Sequence, residues 1–566
     1  MLEMIMTGFF STKFSRKKNI SFQIALPGLL LALISHAVLA NGPFSSVDSM
    51  NMKYLNWYNL DPEDDTVQGA SVDKTYREIL HGLAPKKKVI VAVIDGGVDI
   101  DHSELEGKIW TNRNEIADNG IDDDHNGYVD DLHGWNFLGN PAGENIHFEN
   151  FEYVRIYKKY DSLYKNIKSI HELPKEERNN YQCYLASRKK YQTELAKFET
   201  EKSYIDFFET AYNNTTRMVK NFLGKDTLVP EDLEDLHTDI DSIKKSVEFL
   251  SYVYNKGLTP ESLKEYKQFN YNHLNKKLTL ETNYRALLSD DPADIKDTDY
   301  GNSDIKGPSS YHGTFVSGII AAIRDNGQGI NGIAENVEIM VLRAVPDGDE
   351  YDKDIALAIR YAVDNGANII NMSFGKSFSP QKTFVDEALQ YAGKNNVLVV
   401  HSAGNDANDI DKTVQYPTKA FNDGTVASNY ITVGAATGKP DEYLVADFSN
   451  YGRENVDLFA PGVDIISLYP ENKYNLASGT SFSGPVVSGI AALIWSYFPE
   501  LAVSELKKII LQSALRFEKL RVYYPDDKGK RNKKTKFQHL SHTGGIVNAY
   551  RAMLLAEKTV KGKNAN

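Results

Sequence analysis

The segment Val89-Ile90-Val91-Ala92-Val93-Ile94 is a continuous, mostly β-branched apolar run that ends at Asp95-Gly96-Gly97. Such a run predicts a strand that is buried on both faces, as in a parallel sheet. Open α/β sheets carry their chemistry at the carboxyl ends of these strands, so Asp95 is a candidate functional carboxylate. Taken alone, the segment is equally consistent with a strand-ending turn.

The same kind of pattern continues in the second half of the chain. Apolar strands are predicted at 337–342, 367–372 and 397–400, with helices at 353–365 and 380–394. Alternation at this spacing indicates right-handed βαβ units. The predicted fold class is therefore α/β with a mostly parallel central sheet.

A glycine-flanked turn, Gly479-Thr480-Ser481-Phe482-Ser483-Gly484-Pro485, precedes an apolar helical segment over 486–495. A helix N-terminus stabilises developing negative charge, which makes Ser481 a candidate nucleophile. The alternative is a plain helix cap. His312, in a turn before a small-residue helix, could likewise be a packed histidine, and Asn405 could be a turn residue after a strand.

Between about 140 and 300 glycine is scarce, and lysine, glutamate and tyrosine dominate. Apolar or aromatic side chains recur at steps of three and four residues, from Tyr153 to Ile167 and again from Leu233 to Tyr254. This spacing predicts amphipathic helices that pack on one another. We predict an inserted bundle of three or four helices, in which the tyrosine stripe is core rather than binding surface.

An acidic turn over 119–131 places oxygen-bearing side chains at alternate positions around a glycine. Its first half is similar to an EF-hand loop, but the twelfth position from Asp122 is His133 in place of a bidentate glutamate. The prediction is a structural calcium site of another kind, and a solvated acidic turn is the alternative. The candidate ligands are Asp122, Asp124, Asn126 and Asp130.

The first 40 residues have the pattern of an export signal, with basic residues over 13–18 before an apolar stretch over 24–40. Cleavage after Ala40 would deliver the protein to the periplasm, the cell surface or the medium without a membrane span, whereas a retained signal anchor is the alternative.

The formal net charge of -13 argues against a nucleic-acid partner. Cys183 is the only cysteine, which excludes an intramolecular disulfide.

Asp95, His312 and Ser481 follow one another in the order of subtilisin-type catalytic triads. On this order and on six ordered segments, the sequence resembles the subtilisin-like serine peptidases (subtilases, S8 family). The segments are Val-Ile-Asp-Gly-Gly-Val-Asp at 93–99, His-Gly-Thr-Phe-Val-Ser-Gly at 312–318, Asn-Met-Ser-Phe-Gly at 371–375, Ser-Ala-Gly-Asn at 402–405, Ala-Pro-Gly at 460–462 and Gly-Thr-Ser-Phe-Ser-Gly-Pro at 479–485. They lie in two regions of the chain, about 85 to 139 and 301 to 555.

The resemblance implies a subtilisin-like three-layer fold and an endopeptidase that cleaves polypeptides through an acyl-enzyme. In that mechanism Ser481 attacks the peptide carbonyl, His312 moves the proton and Asp95 orients the imidazole. Asn405 resembles the side-chain donor of the oxyanion hole. Substrate would lie extended beside Ser373-Phe374-Gly375, which together with Ala403 and Gly404 resembles the walls of the S1 pocket. The acidic turn looks like a calcium loop of some members.

Three departures from the family pattern are visible. Gly96 stands where the family usually has serine or threonine, and Phe315 replaces a frequent second histidine. Asp95 and His312 are 217 residues apart, which places the helical bundle inside the peptidase domain.

These observations predict the domain boundaries and leave two other functions open. The boundaries are a signal peptide at 1–40, an N-terminal extension at 41–85, peptidase segments at 86–139 and 301–556, the helical insertion at 140–300 and a basic tail at 557–566. The first alternative function is a catalytically silent binding protein on this scaffold. The second is a protein that mainly docks a protein partner through the insertion.

Overall fold

The computed structural model describes residues 54–256, 258–526 and 531–564. The predicted export signal lies outside the described residues. Within them the chain forms two compact units, a body that contains the residues up to Glu152 and from Asn283 onward, and a helical unit over Tyr153–Thr282. No helix in these described ranges combines the length and the apolar composition needed to cross a membrane.

The regular elements are numbered in chain order. The strands are β1 (Val89–Asp95), β2 (Gly134–Asn136), β3 (Val337–Arg343), β4 (Ile369–Met372), β5 (Leu398–Ser402), β6 (Tyr430–Ala436), β7 (Leu458–Pro461), β8 (Ile465–Tyr469), β9 (Lys473–Ala477), β10 (Leu515–Arg516), β11 (Arg521–Tyr523), β12 (Lys534–Lys536) and β13 (Gly545–Ile546). The helices are α1 (Val72–Thr75), α2 (Glu152–Tyr164), α3 (Arg178–Leu223), α4 (Glu231–Glu234), α5 (Asp241–Asn255), α6 (Pro260–Asn272), α7 (Tyr311–Ala321), α8 (Asp352–Asp364), α9 (Lys382–Lys394), α10 (Thr480–Tyr497), α11 (Val503–Ser513) and α12 (Ala549–Asn564).

A nine-stranded sheet forms the centre of the body, in the order β10-β13-β7-β6-β5-β4-β1-β3-β2. Its neighbouring strands are parallel, except for the antiparallel pair of β10 and β13. β1 lies between β3 and β4, and Asp95 at its end is in register with Arg343. The predicted α/β class with a mostly parallel sheet is confirmed.

Side chains of β1 alternate between two hydrophobic clusters, one on each face of the sheet. Val91 and Val93 pack into the cluster that contains residues of α7, α10, α11 and α12. Ala92 and Ile94 pack into the cluster that contains residues of α8 and α9. Because a strand covered on both faces needs apolar residues at every position, the continuous run in the sequence is explained by this three-layer arrangement.

Helix α10 is buried along almost its whole length. Its residues from Phe482 to Ser496 are apolar or small, which is typical of a helix enclosed in a core rather than of an amphipathic surface helix. Packing on all sides holds the N-terminal end of this helix in place. Ser481 is its second residue and remains partly exposed.

The described part of the predicted N-terminal extension belongs to the same core. Trp57 is 4% exposed and Tyr58 is fully buried in the cluster that also contains β1 and α10. The Trp57 indole N–H donates to the carbonyl of Asp464 at 2.9 Å, and the Tyr58 hydroxyl donates to the carbonyl of Asn331 at 2.8 Å. This segment is therefore a structural part of the body.

We expect Trp57→Ala to destabilise the body, because it removes a buried indole and its hydrogen bond. Substitutions of this kind lower the free energy of unfolding by about 3 to 5 kcal/mol. Urea unfolding followed by circular dichroism measures the change, and Glu63→Ala, at a side chain that is 78% exposed, is the control. Equal unfolding midpoints for the two variants would show that the segment contributes little to the core.

The helical unit is organised around α3, which is 46 residues long. Tyr164, Tyr181 and Tyr184 are buried, with Tyr157 and Tyr160 packed against them, so the prediction that the tyrosine stripe is core is confirmed. A second cluster joins residues of α3, α4, α5 and α6.

One predicted seam is interrupted. The regular spacing from Leu233 to Tyr254 runs over two helices, because α4 ends at Glu234 and α5 begins at Asp241. Between them the hydroxyl of Thr238 accepts a hydrogen bond from the N–H of Ile240 at 3.2 Å. Threonine side chains that bond to nearby backbone favour turns over helix, which explains the break.

Candidate active site

The candidate residues meet at the carboxyl edge of the parallel sheet. Asp95 ends β1, Ser373 follows β4, and Asn405 lies three residues beyond β5. His312 and Ser481 are each the second residue of a helix, α7 and α10 respectively. Strand ends at this edge are where open α/β sheets place their functional side chains.

The carboxylate of Asp95 is in direct contact with the imidazole of His312. Nδ1 of His312 lies 2.9 Å from Oδ1 and 2.8 Å from Oδ2 of Asp95. The carboxylate is buried, and the imidazole is 26% exposed. Burial acts to lower the pKa of His312, but the charge and the hydrogen bond of Asp95 outweigh it, so this pKa is raised above its ordinary value.

Ser481 contacts the strand-end segment at Ser373 in both directions. The Ser481 hydroxyl donates to the carbonyl of Ser373 at 3.1 Å, and the Ser373 hydroxyl donates to the carbonyl of Ser481 at 2.8 Å. In the described part of the chain, Ser481 and His312 share no hydrogen bond. Catalytic hydrogen bonds are often long or misaligned before substrate binds, so the hydroxyl has to rotate toward the imidazole for reaction.

The amide of Asn405 is oriented by Thr480. Its Oδ1 accepts from the N–H of Thr480 at 2.9 Å and from the Thr480 hydroxyl at 2.8 Å. The same hydroxyl accepts from the N–H of Gly404 at 3.1 Å. Because Oδ1 is engaged, the Nδ2 group is the part of this exposed side chain that can donate to a ligand. Thr480 thus fixes the orientation of Asn405, a contact that the sequence pattern did not predict.

The predicted substrate-binding segments converge on Gln415. A Cβ on Gly375 would lie 2.8 Å from Nε2 of Gln415, and one on Gly404 would lie 3.6 Å from its Cδ. Gln415 and Ala403 also line a cavity of about 290 Å³. The carbonyl of Phe374 is 2.8 Å from Nε2 of His401, which lines the same cavity. Gln415 has no local pattern that would have revealed this position.

The four predicted calcium ligands are not all brought together. Asp122 accepts hydrogen bonds from the N–H groups of Asn126 and Gly127, and Asp130 accepts from those of Asn119 and Gly120. These two carboxylates therefore stabilise the backbone of the turn. Asn126 uses its side-chain Nδ2 to donate to Asp124 and to Asp131.

Asp124 instead belongs to a three-carboxylate cluster with Glu115 and Asp131, whose nearest oxygens all lie within 4.8 Å of one another. Glu115 is 7% exposed, and its buried Oε2 has no hydrogen-bond partner among the residues that the structure describes. Burial raises the pKa of Asp131 to about 6, although hydrogen bonds from Tyr361, Asn126 and Asn112 act to lower it. An unpartnered buried carboxylate oxygen among other carboxylates fits a hard cation. Glu115 precedes the acidic turn, so the loop pattern did not include it.

Comparison with known proteins identifies the region that carries these residues. The family model described as the subtilase family, Peptidase_S8, matches residues 86–546. This match includes the candidate active site and the helical unit between its parts.

Individual relatives match a smaller part of the chain. A thermophilic serine proteinase of Bacillus sp. (strain AK1) is 40% identical over 205 residues, which is 36% of this chain and 46% of the relative. Subtilisin DY of Bacillus licheniformis is 34% identical over 205 residues, or 36% of this chain and 70% of the relative. A solved structure of the subtilase cytotoxin SubAB aligns with 44% of this chain and 77% of its own, at 27% identity and a TM-score of 0.37. The chain thus spans about half the length of the thermophilic proteinase.

Proposed function

The chain belongs to the subtilase family, and we propose that it is an endopeptidase that hydrolyses polypeptides through Ser481, His312 and Asp95. The observation that carries this proposal is the contact of both Asp95 carboxylate oxygens with Nδ1 of His312, at 2.8 and 2.9 Å. It occurs at the sheet edge where Ser481 is the second residue of a buried helix. A buried carboxylate that binds one imidazole nitrogen leaves the other free for proton transfer.

The first step forms the acyl-enzyme. Nε2 of His312 accepts the hydroxyl proton of Ser481 while the oxygen bonds to the substrate carbonyl carbon, and Asp95 stabilises the resulting imidazolium. The imidazolium then gives its proton to the leaving amine as the peptide C–N bond breaks. In the second step His312 accepts a proton from water while the water oxygen bonds to the ester carbon. The bond to Ser481 then breaks, His312 returns the proton to the Ser481 oxygen, and the carboxylic acid product leaves.

Negative charge on the tetrahedral intermediate needs donors that are already in place. Nδ2 of Asn405 supplies one donor, because Thr480 holds the opposite end of the amide. The backbone N–H of Ser481 supplies the other, at the N-terminus of α10. A donor of this kind contributes about 3 to 4 kcal/mol of transition-state stabilisation.

Substrate binds as an added strand along Ser373-Phe374-Gly375, and the side chain before the scissile bond enters between this segment and Ala403-Gly404. Extended pairing uses backbone hydrogen bonds, so it accepts varied sequences. Gln415 lies close to both walls, in a position to contact the entering side chain.

The test of this activity uses a fluorophosphonate probe and casein. We expect the purified protein to be labelled at Ser481 and to digest casein, because both reactions need the activated hydroxyl. Mass spectrometry locates the modified residue. A folded protein that takes up no label and leaves casein intact would instead be the silent binding protein of the alternative.

We further propose that the three-carboxylate cluster binds calcium as a structural cofactor. Glu115, Asp124 and Asp131 supply carboxylate oxygens, and calcium favours several such ligands from one loop region. The bound ion would neutralise the mutual repulsion of these groups. The ion would stabilise the fold, and no catalytic step uses it.

Calcium is expected to raise the thermal midpoint of the protein by roughly 5 °C at saturation, because it binds the folded state only. Differential scanning fluorimetry with chelator and with added calcium measures this shift. Glu115→Gln should lose most of the response, whereas Asp130→Asn, at a carboxylate outside the cluster, should keep it. Identical midpoints with chelator and with calcium would remove the proposal.

Export is the third element of the proposed function. The basic and apolar pattern of residues 1–40 supports removal of a signal peptide after Ala40 and activity in the periplasm, at the cell surface or in the medium.

We also propose that the helical insertion binds a protein partner. Exposed aromatic side chains support this, since Tyr271 is 53% exposed beside a groove of about 380 Å³ that Tyr212 and Leu263 also line. The inactive full-length variant Ser481→Ala serves as bait. Tyr271→Ser added to it should reduce capture of a partner roughly tenfold, and Leu163→Ser, at another exposed apolar residue of the unit, should not. Equal capture by all three baits would count against docking at this groove.

A further inference from the structure

Arg343 is a buried cation beside the catalytic aspartate. It ends β3 in register with Asp95, and its side chain is among the largest that are fully buried in the body. Burial lowers the pKa of Arg343 to about 10, against the opposing effect of Asp304. Burying a charged group is unfavourable unless its interactions compensate, so the contacts of this guanidinium indicate what it does.

All three hydrogen bonds of the guanidinium go to neutral oxygens. Nε donates to the carbonyl of Gly96 at 3.2 Å, Nη1 to Oδ1 of Asn136 at 2.8 Å, and Nη2 to the carbonyl of Ile146 at 2.8 Å. No ion pair of Arg343 occurs within 4.0 Å in the portion of the chain that the structure covers. The guanidinium therefore acts on backbone and amide groups rather than on a carboxylate partner.

Gly96 connects this guanidinium to the catalytic carboxylate. The N–H of Gly96 donates to Oδ1 of Asp95 at 2.7 Å, while the Gly96 carbonyl accepts from Arg343. The carbonyl of Asp95 itself accepts from the N–H groups of Ala344 and Val345, the residues that follow Arg343. Because glycine is conformationally permissive and has no hydroxyl to support the carboxylate, the orientation of Gly96 has to be set by its neighbours.

The segment before α7 is shaped around the same guanidinium. Gly307 has a φ of +58°, and a Cβ there would lie 2.2 Å from Nε of Arg343. Only a residue without a side chain leaves that space open. Arg343 thus contacts both the strand end that carries Asp95 and the segment that leads to the helix of His312.

We propose that Arg343 is a positioning residue that holds Gly96, and through it the Asp95 carboxylate, in the orientation that binds His312. The inference rests on the proposed peptidase activity. It assigns no contact between Arg343 and substrate. Among the described residues, Asp304 in the segment before α7 is the charged group that acts on the pKa of Arg343.

The test compares Arg343→Met and Arg343→Lys with the wild type. We expect Arg343→Met to lower kcat per titrated active site by roughly ten- to a hundredfold with KM within about twofold, since misplacement of a catalytic group acts on the chemical step. Arg343→Lys should recover part of kcat, because an ammonium can still donate to Gly96. The low-field NMR resonance of the His312 Nδ1 proton should weaken in Arg343→Met.

If Arg343→Met does not fold, Gly307→Ala provides the second measurement, because the added methyl group displaces the guanidinium while its charge remains. The same selective fall in kcat is expected. A folded variant of either kind with wild-type kcat and an unchanged low-field resonance would overturn the proposal. A wild-type protein without activity or label would instead refute the peptidase function itself.

Discussion

Replacement of Ser481 by alanine is expected to lower kcat for peptide hydrolysis by about a millionfold, the scale on which loss of the nucleophile acts in such triads. The hydroxyl at the start of α10 is the only protein group in the proposed mechanism that bonds to the substrate carbon. The variant should also lose fluorophosphonate labelling. Progress curves with a chromogenic peptide, measured at high enzyme concentration, give the residual rate.

As a control, the thermal midpoint of Ser481→Ala shows whether the substitution changes the stability of the fold. Ser481 is partly exposed, and within the described ranges its hydroxyl donates only to the carbonyl of Ser373. The thermal midpoint should therefore stay close to that of the wild type. Ser483→Ala is the matched variant, because this neighbouring buried hydroxyl donates to the carbonyl of Ala460 and takes no part in the reaction. Substantial cleavage by Ser481→Ala would contradict the assigned nucleophile.

Asp95→Asn is expected to lower kcat by about ten-thousandfold, because an amide stabilises the wrong imidazole tautomer and no longer stabilises the imidazolium. It should also change the pH profile. Burial lowers the pKa of His312, and the Asp95 charge raises it. Without that charge the pKa of His312 falls, and the acidic limb of the profile, which requires neutral His312, moves to lower pH.

The pH dependence of kcat/KM for the wild type and for Asp95→Asn, each normalised to folded protein, measures both effects. A nearby carboxylate provides the control. Asp99→Asn removes a buried charge four residues further along the chain, where the partner is Lys306. It should leave the acidic limb nearly unchanged. An Asp95→Asn profile that keeps the wild-type limb would show that Asp95 does not set the charge state of His312.

The fold class and the triad could be predicted from the sequence because each depends on local patterns. The run before Asp95 is apolar at every position since both faces of β1 are covered, and the helix predicted at 353–365 is found as α8, one residue earlier at each end. Chain order then links Asp95 with His312 and Ser481. These features can be predicted without knowing which loops come together in the folded protein.

Other residues of the site depend on contacts between distant segments. Arg343 acts on Gly96 across 247 positions in the chain, and Thr480 orients Asn405 across 75. Glu115 joins the carboxylate cluster from outside the acidic turn. No periodicity or spacing marks such residues, because the geometry of the folded sheet brings them together.

The burial of Trp57 and Tyr58 restricts which part of the chain could be removed as a propeptide. A propeptide that is cleaved and released must leave the mature body folded. Residues 54–80 cannot serve as such a propeptide, since their removal would expose the core that supports β1 and α10. Proteolytic processing that keeps the body folded therefore has to spare this segment, because its side chains fill the core beneath β1 and α10.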